Sequence, residues 1–133
     1  MNFLIVGAGS IGKRHLRNLL HVGIKKENLY VVETREDRQN EVKDLGIINI
    51  YKDIDSAISN TNINAAIICS PTSLHIEHGI RLAENNIHLM IEKPLSHNLE
   101  GTEKLSKIAD ENKINVLIAY IFRFSPLTAK VKN

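Results

Sequence analysis

The chain has 133 residues, 43% of them hydrophobic, enough for one domain around one core. Its net charge of +2 comes from 17 basic and 15 acidic residues mixed along the sequence, without basic residues interleaved among aromatics, which argues against nucleic acid as a partner. No stretch approaches the roughly 20 apolar residues that span a bilayer, and the start lacks the basic region of a signal peptide, so a cytoplasmic protein without a membrane partner is expected.

The first apolar run, Phe3–Val6, leads directly into Gly7-Ala8-Gly9-Ser10-Ile11-Gly12, and Leu16, Leu19 and Leu20 then recur at helical spacing. A G-x-G-x-x-G between a strand and a helix has a physical reading. Gly7 permits the tight turn, Gly9 has no Cβ to hold a pyrophosphate away, and Gly12 lets helix and strand approach. The free N–H groups at the helix start, at Ser10 and Ile11, receive the phosphates. A plain tight turn is the alternative. The second run, Leu29–Val32, ends at Glu33, about 20 residues beyond the loop, where a carboxylate accepts hydrogen bonds from ribose hydroxyls and repels a 2′-phosphate. NAD is therefore favoured over NADP. Arg35 could stack on adenine or pair with that phosphate, or be a solvated helix-start residue.

The charge-rich segment Thr34–Leu45 reads as an exposed helix, Ile47–Ile50 as a third strand, and Asp53–Ser59 as a short crossover. A fourth run, Ala65–Ile68, leads to Cys69-Ser70-Pro71-Thr72-Ser73-Leu74-His75. The single cysteine has no internal disulfide partner, which suits a reducing compartment. Strand ends of this kind face a ligand crevice, so Ser70, Pro71 and Thr72 are expected beside the cofactor, with His75 against the nicotinamide ribose. Thr72 or Ser73 could instead simply cap the next helix, marked by Ile76, Ile80 and Ala83. His75 and His78 with Glu77 raise the question of zinc, but no third ligand stands at suitable spacing; no metal site is expected, and His78 reads as a helix-surface residue.

The fifth run, Ile87–Ile91, ends in Glu92-Lys93-Pro94 on the crevice side. Oxidising a carbinol releases a hydride and a proton, so a base or relay must sit beside the hydroxyl; Lys93 stands where one is needed. Glu92 would orient Lys93 or cap the following loop, and Pro94 makes a cis peptide accessible. A surface lysine in a turn is the plain alternative. Leu105, Ile108 and Ala109 mark another helix, Val116–Tyr120 a sixth strand, and the tail Tyr-Ile-Phe-Arg-Phe-Ser-Pro begins a new element. The fold class is α/β: a Rossmann-type, doubly wound parallel sheet of about six strands with right-handed crossovers. No Y-x-x-x-K, phosphate loop of the G-x-x-x-x-G-K-[ST] type or G-x-S-x-G elbow occurs.

These motifs, in this order, resemble the N-terminal half of the glucose–fructose oxidoreductase/inositol dehydrogenase/MocA family. The resemblance is carried by "GAGSIGKRH", Glu33, "SPTSLH", "EKPLS" and "YIFRFSP". It implies an NAD(P)-dependent oxidoreductase that moves a hydride between a nicotinamide cofactor and a secondary alcohol of a sugar, nucleotide sugar or cyclitol. It implies that Lys93 hydrogen-bonds the reacting oxygen and helps move its proton, that Glu92 and Lys93 also meet the cofactor, and that Tyr120 and Arg123 line the substrate cleft at a domain junction. Residues 1–120 would form the dinucleotide-binding domain and 121–133 the junction and start of a second domain that the chain does not contain. That domain supplies a further histidine and an oligomer interface in the family. The chain is therefore expected to bind cofactor without turnover and to self-associate through Phe122, Phe124 and Leu127. The alternative is a non-catalytic nucleotide-sensing or partner-binding module of the same fold.

Overall fold

Six apolar runs become six parallel strands because each is short, mostly apolar and covered on both faces. The computed structural model describes residues 1–131, and only the backbone of Leu127, Ala129 and Val131. The strands are β1 (Phe3–Val6), β2 (Leu29–Val32), β3 (Asn49–Tyr51), β4 (Ala65–Ile68), β5 (His88–Ile91) and β6 (Val116–Ile118), in the sheet order β3-β2-β1-β4-β5-β6. Strand order reverses between β1 and β4, the switch point at which open α/β sheets hold their ligands. The register sets Val6 beside both Val32 and Ile68, and Ile68 beside Ile91. Consequently the residues that leave these strands (Gly7, Glu33, Cys69 and Glu92) emerge along one rim of the sheet.

Helices α1 (Ser10–His21), α2 (Glu36–Asp44), α3 (Ile54–Asn60), α4 (His75–Ala83) and α5 (Thr102–Glu111) connect the strands, and α6 (Pro126–Val131) follows a 3-10 turn over Ile121–Phe124. Side chains alternate across each strand, so β1 feeds two cores. Ile5 packs with Leu16, Val31, Val42 and Ile67 under α1 and α2, whereas Leu4 and Val6 pack with Ile54, Ala57, Ile76, Leu82 and Leu105 under α3, α4 and α5. Each fully buried Leu or Ile contributes roughly 1.5–3 kcal/mol by leaving water.

Several boundaries differ from the sequence expectation, most by one residue and a few by two. The third strand begins at Asn49 instead of Ile47: Ile47 is buried in the α1/α2 core while Ile48 is 83% exposed, so neither continues the ladder. Asn49 then anchors the edge, its amide donating to the carbonyls of Glu27 and Leu29. The sixth strand stops at Ile118, because Tyr120 turns back to donate its N–H to the Ile118 carbonyl. The α2 helix is confined to Glu36–Asp44.

Candidate functional site

The glycine turn assigns each glycine a different task. Gly7 lies at φ +91°, and a Cβ there would stand 2.9 Å from the Cys69 carbonyl oxygen. A Cβ on Gly12 would stand 2.0 Å from the Gly7 carbonyl oxygen, so Gly12 is what lets α1 sit against β1. Gly9 is different: its nearest neighbour would be an Arg38 guanidinium nitrogen at 3.8 Å. The turn is closed below and open above. Gly9 is also the N-cap of α1, with no side-chain cap and no acidic residue in the first turn, so the helix presents uncapped N–H groups at Ser10 and Ile11 to that opening.

Glu33 follows β2 and is only 5% exposed. Its carboxylate accepts from the Ala8 N–H at 2.8 Å and the Arg35 N–H at 3.0 Å, and the Arg38 guanidinium lies 3.7 Å away. Gln39 donates to its carbonyl at 2.7 Å. The buried charge is thus compensated by main-chain donors and a cation. Arg35 takes the solvated alternative: it is exposed and pairs with Asp37, which raises its own pKa and lowers that of Asp37. Arg35 still borders the crevice, together with Arg38, which the sequence reading did not single out. A cavity of about 330 Å³ opens here, lined by Gly7, Glu33, Thr34, Arg38, Pro71 and His78.

The loop after β4 divides this cavity from a second one of about 500 Å³, lined by Arg14, His15, Asn18, Thr72, Glu92 and Lys93 among others. Ser70 and Pro71 border both cavities and Thr72 the second. Neither Thr72 nor Ser73 caps α4: residues Thr72–Leu74 form a 3-10 turn, and the N-cap of α4 is Leu74, with no side-chain bond. His75 is 2% exposed, with Nδ1 2.9 Å from the Pro94 carbonyl oxygen and Nε2 2.8 Å from that of Ser70. Both ring nitrogens therefore face main chain, while the residue lines the second cavity. His78, expected on the surface, is half-buried with Nδ1 3.0 Å from the Ser70 hydroxyl, and burial above all lowers its pKa. Burial, followed by the charge of Glu92, pushes the Cys69 thiol up to about 12.

Glu92 ends β5 and reaches back to α1, its Oε1 2.7 Å from His15 Nε2, while Oε2 accepts the Lys93 main-chain N–H at 3.2 Å. It meets the lysine's backbone and not its ammonium. The Lys93–Pro94 peptide is cis, and the Lys93 side chain is exposed at the mouth of the second cavity. Tyr120 and Arg123 are exposed and line neither cavity; Ala119 and Ile121 do line the second. Sequence reasoning missed His15, Arg14 and Asn18, although their helical spacing from Ile11 marks the face of α1 that continues the glycine loop. Among the described residues, no group of three His, Cys, Asp or Glu side chains is placed to hold a metal, and no helix is long and apolar enough to cross a membrane.

An open glycine turn, uncapped N–H groups and a buried carboxylate at the switch point fit a dinucleotide. Residues 1–120 match the family described as "Oxidoreductase family, NAD-binding Rossmann fold", the Gfo/Idh/MocA family. The chain belongs to this family. A myo-inositol 2-dehydrogenase of Thermotoga maritima is 36% identical over 120 residues, covering 89% of this chain and 35% of that protein. A scyllo-inositol 2-dehydrogenase (NAD(+)) of Bacillus subtilis is 30% identical over 129 residues, covering 96% of this chain and 38% of the relative. The crystal structure of a probable dehydrogenase from Thermotoga maritima superposes with a TM-score of 0.87 at 31% identity, over 99% of this chain and 39% of that one. The chain thus spans little more than a third of the length of these Gfo/Idh/MocA proteins. It is an oxidoreductase NAD-binding domain with a six-stranded Rossmann sheet.

Proposed function

We propose that the two cavities on either side of Ser70–Pro71 are the two halves of one nicotinamide dinucleotide site, with NAD favoured over NADP. The adenosine half would rest on Glu33, which offers carboxylate oxygens to ribose hydroxyls and repels a 2′-phosphate. Gly7, Gly9, Ser10, Ile11 and Gly12 would take the pyrophosphate, while Ser70, Pro71 and Thr72 flank it. Arg38 would lie over the adenine side together with Arg35. The nicotinamide, when bound, gives or accepts the hydride. Lys93 would hydrogen-bond the reacting oxygen, orient it, and hold or pass on its proton. Glu92, fixed by His15, keeps the lysine's backbone in register. In the whole protein the reaction would be hydride transfer between this cofactor and a secondary alcohol of a sugar, nucleotide sugar or cyclitol, in the cytoplasm. Residues 1–120 would be the cofactor domain and the segment from residue 121 the junction, with Tyr120 and Arg123 turned towards a substrate held elsewhere.

The observation that carries this reading is the open face above Gly9 beside the buried Glu33 carboxylate. The two inositol dehydrogenases named above support the alcohol substrate. Calorimetric titration of the chain with NADH and NADPH tests it. Saturable binding of NADH, tighter than that of NADPH, is expected, and no binding of either at millimolar concentration would overturn it. Lys93→Ala is expected to leave NADH affinity nearly intact while abolishing turnover of the whole protein; preserved turnover would remove Lys93 from its role.

A further inference from the structure

We infer that His75 is a positioning residue, whose imidazole ties the Glu92–Pro94 turn to the Ser70 loop and thereby sets where Lys93 stands at the crevice; the inference rests on the role proposed for Lys93. After Glu92, whose N–H donates to the Ile68 carbonyl, the chain leaves the sheet. Pro94 has no N–H to offer, and the Lys93 N–H is spent on the neighbouring Glu92 carboxylate. Among the described residues, the bond between His75 Nδ1 and the Pro94 carbonyl is the hydrogen bond that joins residues 93–97 to another element.

The ring is well placed for that task. His75 is the first residue of α4, is 2% exposed, and has a rigid helix behind it. Its Nε2 faces the Ser70 carbonyl, so one side chain spans the loop after β4 and the turn after β5, the two walls of the second cavity. A neutral ring donates to one carbonyl at a time and a doubly protonated ring to both. Only a ring protonated at both nitrogens bonds both walls at once; a neutral ring bonds one wall and packs against the other.

The two ring nitrogens can be separated by substitution, because an Asn amide nitrogen lies close to the place of Nδ1 and a Gln amide nitrogen close to that of Nε2. His75→Asn is expected to keep the Pro94 contact, His75→Gln the Ser70 contact alone, and His75→Ala neither. In the cofactor-free chain, amide hydrogen exchange at Lys93, the amide of this turn that is hydrogen-bonded, should rise severalfold in the Ala and Gln variants and stay near the parent rate in the Asn variant. Exchange in β1 and β2 should not change. The same local rise in all three variants, no rise in any, or a uniform rise across the sheet would overturn the inference, since each would make the ring a packing residue only. NADH affinity is measured in parallel on the unsubstituted chain. Its absence would count against the dinucleotide reading and leave the exchange result standing by itself. Where NADH binds, acylation of Lys93 followed by mass spectrometry adds a second readout. Protection of Lys93 by NADH should survive in His75→Asn and vanish in His75→Gln; equal protection in both would also overturn the inference.

Discussion

On the glycine-loop side of the crevice the charged group is held before any ligand arrives: Glu33 is 5% exposed and two main-chain N–H groups fix its oxygens. On the lysine side the order is reversed. The supports (Glu92, His15 and His75) are enclosed, while Lys93 is exposed, and the chain runs on into exposed Ile121, Phe122 and Phe124. One half of the crevice is finished by this chain's own packing. The other presents a fixed backbone with an exposed side chain at its rim. Burying a charge requires compensation on the spot, which the sheet rim provides for Glu33. An exposed ammonium requires none.

Substitutions in the glycine turn test the first half most severely. Gly12→Ala places a methyl 2.0 Å from the Gly7 carbonyl oxygen, and forcing the helix away should cost about 1–3 kcal/mol or more, read as a lowered melting temperature. Gly9→Ala should lower melting much less than Gly12→Ala, because a Cβ there has Arg38 alone near it and only at 3.8 Å, yet weaken NADH binding by filling the open face of the turn. Equal effects of the two on stability would break the distinction between the closed and open sides of the turn. Glu33→Gln keeps the shape and removes the charge; the preference for NADH over NADPH should fall about tenfold, near 1.4 kcal/mol, in paired titrations.

Smaller effects bear on the boundary between the halves and on the exposed end. With its pKa pushed up to about 12, Cys69 should remain a thiol at pH 8 and alkylate slowly with iodoacetamide in the folded chain and rapidly once unfolded. Fast alkylation of the folded chain would show the loop between the cavities to be open. Phe122 and Phe124 are 74% and 75% exposed, and such apolar surface favours association between copies. Sedimentation should detect weak, concentration-dependent association that Phe122→Ser with Phe124→Ser removes. A monomer at every concentration would confine the exposed end to some other role. The expectation for Leu127 concerns a side chain outside the described residues.

The sheet was legible because a buried parallel strand is an apolar run, and four of the six runs reach the strand end without correction. The strand boundaries that moved by two residues, at Ile47 and Tyr120, lie on β3 and β6, the two edge strands, where one neighbour is missing and local turn bonds decide. Motif spacing located Glu33 and Lys93 but said little about partners. Arg35 was visible from sequence and borders the crevice, but only helical phase shows that Arg38 also reaches the glycine turn. His75 looked like a ligand residue for a similar reason: sequence brings it to the crevice but does not reveal that both its nitrogens are taken up by carbonyls. His15, far along the chain from Glu92, left no local signal of the bond between them.

The central position of β1 has a bearing on how the protein is made. The ribosome delivers this strand well before its far neighbour, β4, which emerges some 60 residues later. Until then one flank of Phe3–Val6 has no ladder partner, and Gly7 lacks the Cys69 carbonyl that packs against it. The glycine turn, though translated before β4, is therefore among the later ones to reach its final form, and a nascent chain halted before Ile68 would hold the whole G-x-G-x-x-G sequence without its shape.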